Sequence, residues 1–281
     1  MQWIVKYLTS SIGKKQIMGC TGALLAAFVF GHMVGNIQLL NPDPAAAQAS
    51  YNSYCQLLTG YKPFIYGVEL VMICAAALHI FLAVTLKIEN KIARGSIGYD
   101  VNARKGTKSF ASFTMIWTGL IIAAFLVWHL MTLKFGEYYL YSNPDVWDGK
   151  IVRDMWLTTI MAFSKPWLSA LYVIAMFVLG MHLFHAIASA FQTLGIAHQK
   201  WTPIIEKFGL VYSVVVALGF AILAAGAFYL SGKPETQALI EKSRALQPQY
   251  EQQKAKAEAE KKASFVIPSV GEVQVSLNAE F

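Results

Sequence analysis

The chain has 281 residues, of which 56% are hydrophobic and only 14% are charged, and its mean hydropathy is +0.46. Ordinary soluble domains carry about 25% charged residues, so the composition indicates a membrane protein. The net charge of +7 does not indicate a nucleic-acid partner, because residues 233–281 carry as many acidic as basic residues. The basic excess lies at the ends of apolar segments, where it sets orientation and contacts lipid headgroups.

Five apolar segments follow one another along the chain. A spanning helix needs about 20 mostly apolar residues, and backbone polar groups in lipid must be satisfied within the segment, so each is predicted to be a helix. Glu69 is the only Asp, Glu, Lys or Arg residue inside them. The predicted spans are Gln16–Pro42, Pro63–Leu86, Ser109–Leu133, Pro166–Gln199 and Phe208–Gly232.

Basic residues outside the spans are unevenly shared between the two sides of the membrane. Five lie on the side of the first interspan loop, namely Lys62, Lys134, Lys150, Arg153 and Lys165. Eleven lie on the other side, from Lys6, Lys14 and Lys15 at the N-terminus to Lys200 and Lys207. The positive-inside rule therefore predicts a cytoplasmic N-terminus, and five crossings predict a C-terminus outside. A bacterial inner membrane is the expected location.

The polar segments are predicted to be of two kinds. The loop Phe135–Lys165 contains Trp147 and Trp156, which favours a position along the membrane interface. Residues 1–232 form the membrane domain and residues 233–281 a polar tail outside it. In the tail, Glu235–Ala263 has oppositely charged i,i+4 pairs typical of a solvated helix, and EVQVSL after Pro268 alternates like a short strand.

No cysteine-based metal or cofactor site is predicted. Cys20, Cys55 and Cys74 lie far apart without a CxxC motif, which disfavours zinc, iron–sulfur clusters and covalently attached haem. The N-terminal segment has only a brief apolar stretch and no small-residue cleavage site, so no signal peptide is predicted.

Histidines are the informative residues of the spans, and an ionisable side chain there indicates function. At a rise of about 1.5 Å per residue, His32 and His129 lie toward the outside, whereas His79 and His182 lie toward the cytoplasm. His185 shares roughly the face of His182 and is expected to pack or bond nearby, and His198 is expected to be a surface residue. Two matched pairs on four helices predict axial ligands for two b-type haems.

Other interpretations of these residues stay open. Interhelical hydrogen bonding is the alternative for a histidine, and ordinary close packing is the alternative for the glycines around His32. Asn36, Gln38 and Glu69 lie near the outer histidine level and are candidates for a quinone site. Each of the three could equally cap, pack or pair at a helix end.

Two motifs carry a resemblance to a known family. Residues 10–42, with SSIGKK, the Thr21–Gly22 pair and HMVGN, resemble the first helix of the single-chain dihaem cytochrome b anchor of succinate dehydrogenases and fumarate reductases. The segment HLFHAIASAFQTLG (residues 182–195) is also similar to the fourth helix of that family. The resemblance covers about residues 5–230 and all five spans in order.

The resemblance implies an all-α, five-helix membrane subunit that holds two b haems. The implied ligands are His32 with His129 for the outer haem and His79 with His182 for the inner haem. The implied partners are a flavoprotein subunit with FAD and an iron–sulfur subunit, both on the cytoplasmic face. The chain itself would exchange electrons with a quinone, most often menaquinone in such relatives, and would not act on the dicarboxylate.

One departure and two alternatives accompany this interpretation. Some fumarate reductases of this type have a proton-carrying glutamate two residues before the fourth-helix ligand, where this chain has Gly180. The loop Lys87–Lys108 is a candidate docking surface for the iron–sulfur subunit, with solvated charge as the alternative. The competing functions are a dihaem cytochrome of a hydrogenase or formate dehydrogenase, and a haem-free transporter or anchor.

Overall fold

The computed structural model describes residues 2–95, 110–143, 150–196 and 198–264. Nearly all of the described chain is helical, with one short antiparallel pair of strands. The elements are α1 Gln2–Leu8, α2 Ser11–Asn36, α3 Pro44–Gly60, α4 Lys62–Arg94, α5 Phe110–His129, β1 Leu140–Tyr141, β2 Val152–Arg153, α6 Met155–Phe163, α7 Pro166–Thr193, α8 Thr202–Ser231, α9 Pro234–Ala245 and α10 Gln247–Ser264.

Five helices, α2, α4, α5, α7 and α8, are long and apolar enough to cross a membrane. The prediction of five helices long and apolar enough to span a membrane is therefore confirmed. The helices that carry the span histidines are neighbours in the bundle, because α2 packs against both α4 and α7 and α5 packs against α7. An ion pair between Lys14 and Glu89 also joins α2 to α4 at one end.

The short elements form what we call the connecting lobe, made of α3, the two strands, α6 and α9. It lies at one end of the bundle, because α3 follows the first span, α6 precedes the fourth and α9 follows the fifth. Its core contains fully buried Trp156, Leu157 and Ile160 from α6, packed with Ala47 of α3 and Leu239 of α9. Burial of apolar surface thus fixes the lobe to the span ends.

A buried carboxylate organises the connecting lobe. Asp154 caps the N-terminus of α6 by accepting a hydrogen bond from the Leu157 amide at 2.8 Å. It also accepts from Asn52 Nδ2 at 2.9 Å and from Gln48 Nε2, both on α3. Asn52 Oδ1 accepts in turn from the Met155 amide at 2.8 Å. Burial raises the pKa of Asp154 to about 6, although these hydrogen bonds favour its ionised form.

Two features of the lobe differ from the sequence predictions. Helix α3 was not predicted, because its composition, PAAAQASYNSYCQLLTG, has neither the apolar run of a span nor a strong amphipathic pattern. Trp156 has no exposed surface, so it belongs to the protein core rather than to the membrane interface. Trp147 lies outside the described residues.

The tail is only partly solvated. Helix α10 is exposed from residue 251 to residue 260, as predicted for a solvated helix. Helix α9 instead buries Thr236, Leu239, Ile240 and Ser243 against the rest of the connecting lobe. The Ser243 hydroxyl accepts a 2.7 Å hydrogen bond from the Leu140 amide and so ties α9 to β1. The predicted strand EVQVSL lies outside the described residues.

The end of the third span has an unusual geometry. A π-helical turn, Leu130–Lys134, follows His129 directly, and such turns are frequent at functional sites. The Arg153 guanidinium donates to the carbonyl oxygens of Lys134 and Leu133 at 2.6 and 3.0 Å. These charge-assisted bonds satisfy carbonyls that the helix end leaves free, and they hold the turn beside His129.

Candidate functional site

The outer histidines face each other across the bundle. The ring centres of His32 on α2 and His129 on α5 are 5.9 Å apart, with the ring planes at 86°. An imidazole nitrogen binds a metal at about 2.0–2.1 Å, as measured for zinc, so two imidazoles on opposite sides of one metal place their ring centres about 6 Å apart. The observed separation is close to that spacing.

The protonation of His79 is fixed by its neighbours. Its Nδ1 lies 3.1 Å from the carbonyl oxygen of Met18 and 3.3 Å from Thr21 Oγ1, both on α2. A carbonyl oxygen can only accept, so Nδ1 carries the hydrogen and donates it. The other ring nitrogen, Nε2, then presents a lone pair, which is the state a metal-binding histidine requires.

His182 has a similar polar contact on the other helix pair. Its Nδ1 lies 3.1 Å from Thr118 Oγ1 on α5. The Thr118 hydroxyl also lies 3.2 and 3.0 Å from Thr114 O and Met115 O, which can only accept its hydrogen. With the hydrogen directed there, the hydroxyl lone pair accepts from Nδ1–H of His182, the arrangement that would leave Nε2 unprotonated as in His79.

Glycines make room for these two imidazoles. A Cβ on Gly22 would lie 2.9 Å from His79 Cε1, and a Cβ on Gly119 would lie 3.3 Å from His182 Cε1. Each glycine directly follows the threonine that contacts the same ring. The Thr–Gly pair thus provides both a polar partner and the space for a histidine on the neighbouring helix.

The two histidine levels follow from the same helices. His79 lies at the level of Thr21, and His32 is eleven residues further along α2, which is about 16 Å at 1.5 Å per residue. His182 lies at the level of Thr118, and His129 is likewise eleven residues further along α5. Because the outer rings are neighbours, the inner histidines lie on one level.

The outer imidazoles have looser polar contacts than the inner ones. Asn36 Nδ2 lies 3.4 Å from His32 Nδ1 and donates to the His32 carbonyl at 2.6 Å, while its Oδ1 accepts from Tyr51 OH at 2.7 Å. The Tyr172 hydroxyl lies 3.4 Å from His129 Nδ1. These contacts orient both rings but do not fix their tautomers as the carbonyl of the inner site does.

The rings stay accessible although they lie within the spans. His32 is exposed, and His79, His129 and His182 are each half-buried. Protein side chains bury between 6% and 33% of the residues in the most apolar window of each span. The space around the imidazoles is therefore not filled by protein, which suits either a bulky planar cofactor or lipid.

The three quinone candidates have separate partners. Asn36 contacts His32 as described above, and Gln38 Nε2 donates to the Gly35 carbonyl at 3.4 Å. Glu69 forms a 2.6 Å ion pair with Lys134, and both side chains are about two-fifths exposed (39% and 44%). Within the described ranges no contact joins the three, so they do not form one preassembled site.

Gly180 faces α8 rather than the histidines. A Cβ at this position would lie 3.0 Å from Ala217 Cβ and 3.5 Å from the Ser213 carbonyl oxygen. A glutamate side chain here would force α7 and α8 apart, so this chain has no room for the proton-carrying residue that some fumarate reductases have. His185 is half-buried one turn from His182, and His198 is exposed.

Two groups of contact residues were not predicted from the sequence. Thr118 with Gly119, and the carbonyls of Met18 and Met115, could have been found from the similarity between the first and third spans. Tyr172 had no comparable signal, because its contact with His129 depends on how α5 and α7 pack. The predicted docking loop extends into residues 96–109, which lie outside the described part.

Comparison with known proteins gives no identification. The chain matches no protein-family model, no curated protein and no solved structure. Across the described ranges, no group of three or more His, Cys, Asp or Glu side chains is placed to hold a metal ion. A haem iron, by contrast, takes four donors from its macrocycle and needs only two from the protein.

Proposed function

We propose that this chain is the membrane anchor and electron-transfer subunit of a succinate:quinone oxidoreductase and holds two b haems. The outer haem would be held by His32 and His129 and the inner one by His79 and His182. When bound, such haems supply one-electron transfer without an open position for oxygen. The residues of the chain position, orient and insulate them.

The observation that carries this proposal is the state of the four imidazoles. Each has its Nδ1 beside a polar group of the protein, and at His79 a backbone carbonyl assigns the hydrogen to Nδ1. Histidines that ligate metals almost always have this second contact, which fixes the ring and raises its basicity. Simple interhelical hydrogen bonding does not require two levels eleven residues apart on both α2 and α5.

The wider assignment rests on charge, sequence resemblance and the polar groups at the outer level. The basic excess supports a cytoplasmic N-terminus and docking of the iron–sulfur and flavoprotein subunits on that side. Asn36 lies four residues after His32, and Lys134, paired with Glu69, lies five residues after His129. These groups flank the outer level and suit the exchange of protons and electrons with a quinone, which we take to be menaquinone.

The decisive experiment measures haem, flavin and activity together. The full chain is purified from membranes with whatever binds it, and haem b is quantified against chain and covalent flavin. We expect two haems per chain, covalent flavin in a partner, and succinate:quinone activity. Absence of b-type absorption would overturn the proposal in favour of a haem-free protein. Two haems without covalent flavin would indicate that the chain belongs to another quinone-linked complex.

Substitutions test the ligand pairs. His32→Ala with His129→Ala should remove only the outer haem, whereas His32→Ala with His79→Ala should remove both. His185→Ala, one turn from a proposed ligand, is the matched control and should retain both haems. Loss of a single spectral component from the His32/His79 double variant would contradict the pairing.

A further inference from the structure

The first and third spans contain a sequence repeat. Residues 18–32 read MGCTGALLAAFVFGH and residues 115–129 read MIWTGLIIAAFLVWH. Seven of the fifteen positions are identical, in the pattern MxxTGxxxAAFxxxH. Spans need only be apolar, so composition alone does not require a Thr–Gly pair and a histidine eleven residues after the threonine in both.

The structure uses the repeat twice in the same way. In each copy the threonine hydroxyl contacts the Nδ1 of a histidine on the following span, and in the first copy the Met18 carbonyl does so as well. The Nδ1–Oγ1 distances are 3.3 Å for Thr21 with His79 and 3.1 Å for Thr118 with His182. In each copy the phenylalanine ring lies next to the outer histidine, with centres 5.6 and 5.9 Å apart.

The two copies cross the membrane in the same direction, because one further span, α4, separates α2 from α5. The pairs α2–α4 and α5–α7 are thus parallel structural repeats, related by an axis along the membrane normal. The repeat ends at the outer histidines. Asn36 corresponds to Leu133 and Gly31 to Trp128, so the outer level is asymmetric where the inner level is symmetric.

We propose that Thr21 and Thr118 are equivalent positioning residues that orient the two ligands of the inner haem and tune its reduction potential. The inference rests on the proposed function. Each hydroxyl directs its hydrogen to a backbone carbonyl, with Ile17 O 2.9 Å from Thr21 and Met115 O 3.0 Å from Thr118. It therefore accepts from Nδ1–H, and an accepted Nδ1–H bond makes the imidazole a stronger donor at Nε2.

Stronger donation favours the ferric state and lowers the potential of the iron. Removing one hydroxyl therefore raises the potential of the inner haem only. Because the two contacts are alike, the shifts should have the same sign and similar size, and the double variant should shift further. The Met18 carbonyl remains as an acceptor for His79 in the Thr21 variant, so that ring keeps its tautomer and the haem should stay bound.

The test compares isosteric and conservative variants of the full chain by spectroscopic redox titration. Thr21→Val and Thr118→Val remove the hydroxyl and keep the side-chain shape, whereas Thr21→Ser and Thr118→Ser keep the hydroxyl. We expect either valine variant to shift one of the two haem potentials upward and the serine variants to titrate like wild type. The outer haem is the internal control.

Each outcome bears on one proposal. Unchanged potentials in both valine variants, or a shift of the outer haem, would overturn the inference while leaving two haems in place. Absence of haem from the wild-type chain would instead overturn the proposed function. If a valine variant loses the inner haem, restoration by serine at the same position supports the role of the hydroxyl, and equal loss in the serine variant refutes it.

Discussion

Replacing Asp154 by alanine should destabilise the connecting lobe measurably. The buried donors Gln48 Nε2, Asn52 Nδ2 and the Leu157 amide would lose their acceptor, at about 1–3 kcal/mol each or about 6 kcal/mol together. Loss of the carboxylate also removes its own desolvation cost, which raises the pKa of Asp154 to about 6 and offsets roughly half of this penalty. The cost of the lost hydrogen bonds is larger than this relief, so the substitution should lower the free energy of unfolding of the lobe by about 3 kcal/mol.

Cys55 on α3 offers a direct assay for opening of the lobe. Burial raises the pKa of its thiol from 9.0 to about 12, which lowers its thiolate fraction at a given pH about 1000-fold in the closed lobe. Maleimide labelling therefore proceeds through the open form. In a Cys20→Ala, Cys74→Ala background, Asp154→Ala should accelerate labelling about 150-fold, the factor that corresponds to 3 kcal/mol.

The matched control is the exposed cap at the N-terminus of α3. Asp43 Oδ1 accepts from the Ala45 amide at 2.9 Å, and loss of such a cap costs about 1 kcal/mol. Asp43→Ala should therefore accelerate labelling only about fivefold. Equal rates for Asp154→Ala and wild type, or for the two variants, would refute the view that the buried carboxylate holds the lobe together.

Three further results are expected. Because the folded pKa of Asp154 is raised to about 6 from 3.8, lobe stability should be greatest below about pH 4 and fall as pH rises through about 6. Thermal unfolding at several pH values measures this dependence, which Asp154→Asn should abolish. Gly22→Ala should perturb the inner haem spectrum, since its Cβ would lie 2.9 Å from the facing imidazole, whereas Gly67→Ala, with open space around it, should not. Glu69→Gln should lower the rate of quinone reduction about tenfold or more with haem content intact. Lys134→Gln breaks the same ion pair, so an equal loss of rate in that variant would assign the effect to the pair instead of the carboxylate.

The spans and the histidine levels could be predicted because lipid imposes a length and an apolar composition on each crossing helix. Sequence position then converts to depth through the helical rise alone. His32, His79, His129 and His182 could thus be grouped without knowledge of packing. Their grouping needed no contact between helices, only a common reference plane.

The connecting lobe is held by contacts between distant parts of the chain, so it could not be predicted from segment length and composition. Helix α3 is held by Asp154, which is about 100 residues away in the sequence, and its local sequence has no strong helical signal. Trp156 is a residue type that often lies at the membrane interface, but its neighbours in α3 and α8 enclose it. Long-range contacts of this kind produce no periodic pattern of apolar residues in the sequence.

The tautomers of the inner histidines show what the structure adds to the motif. The sequence places a Thr–Gly pair in each of two spans, but it does not say which nitrogen of which histidine the hydroxyl meets. The Met18 carbonyl beside Nδ1 of His79 removes that ambiguity, since a carbonyl cannot donate. A transporter that used His79 as a proton relay would need both ring nitrogens to exchange hydrogen. A ring whose Nδ1 is bonded to backbone suits a fixed ligand better than a relay.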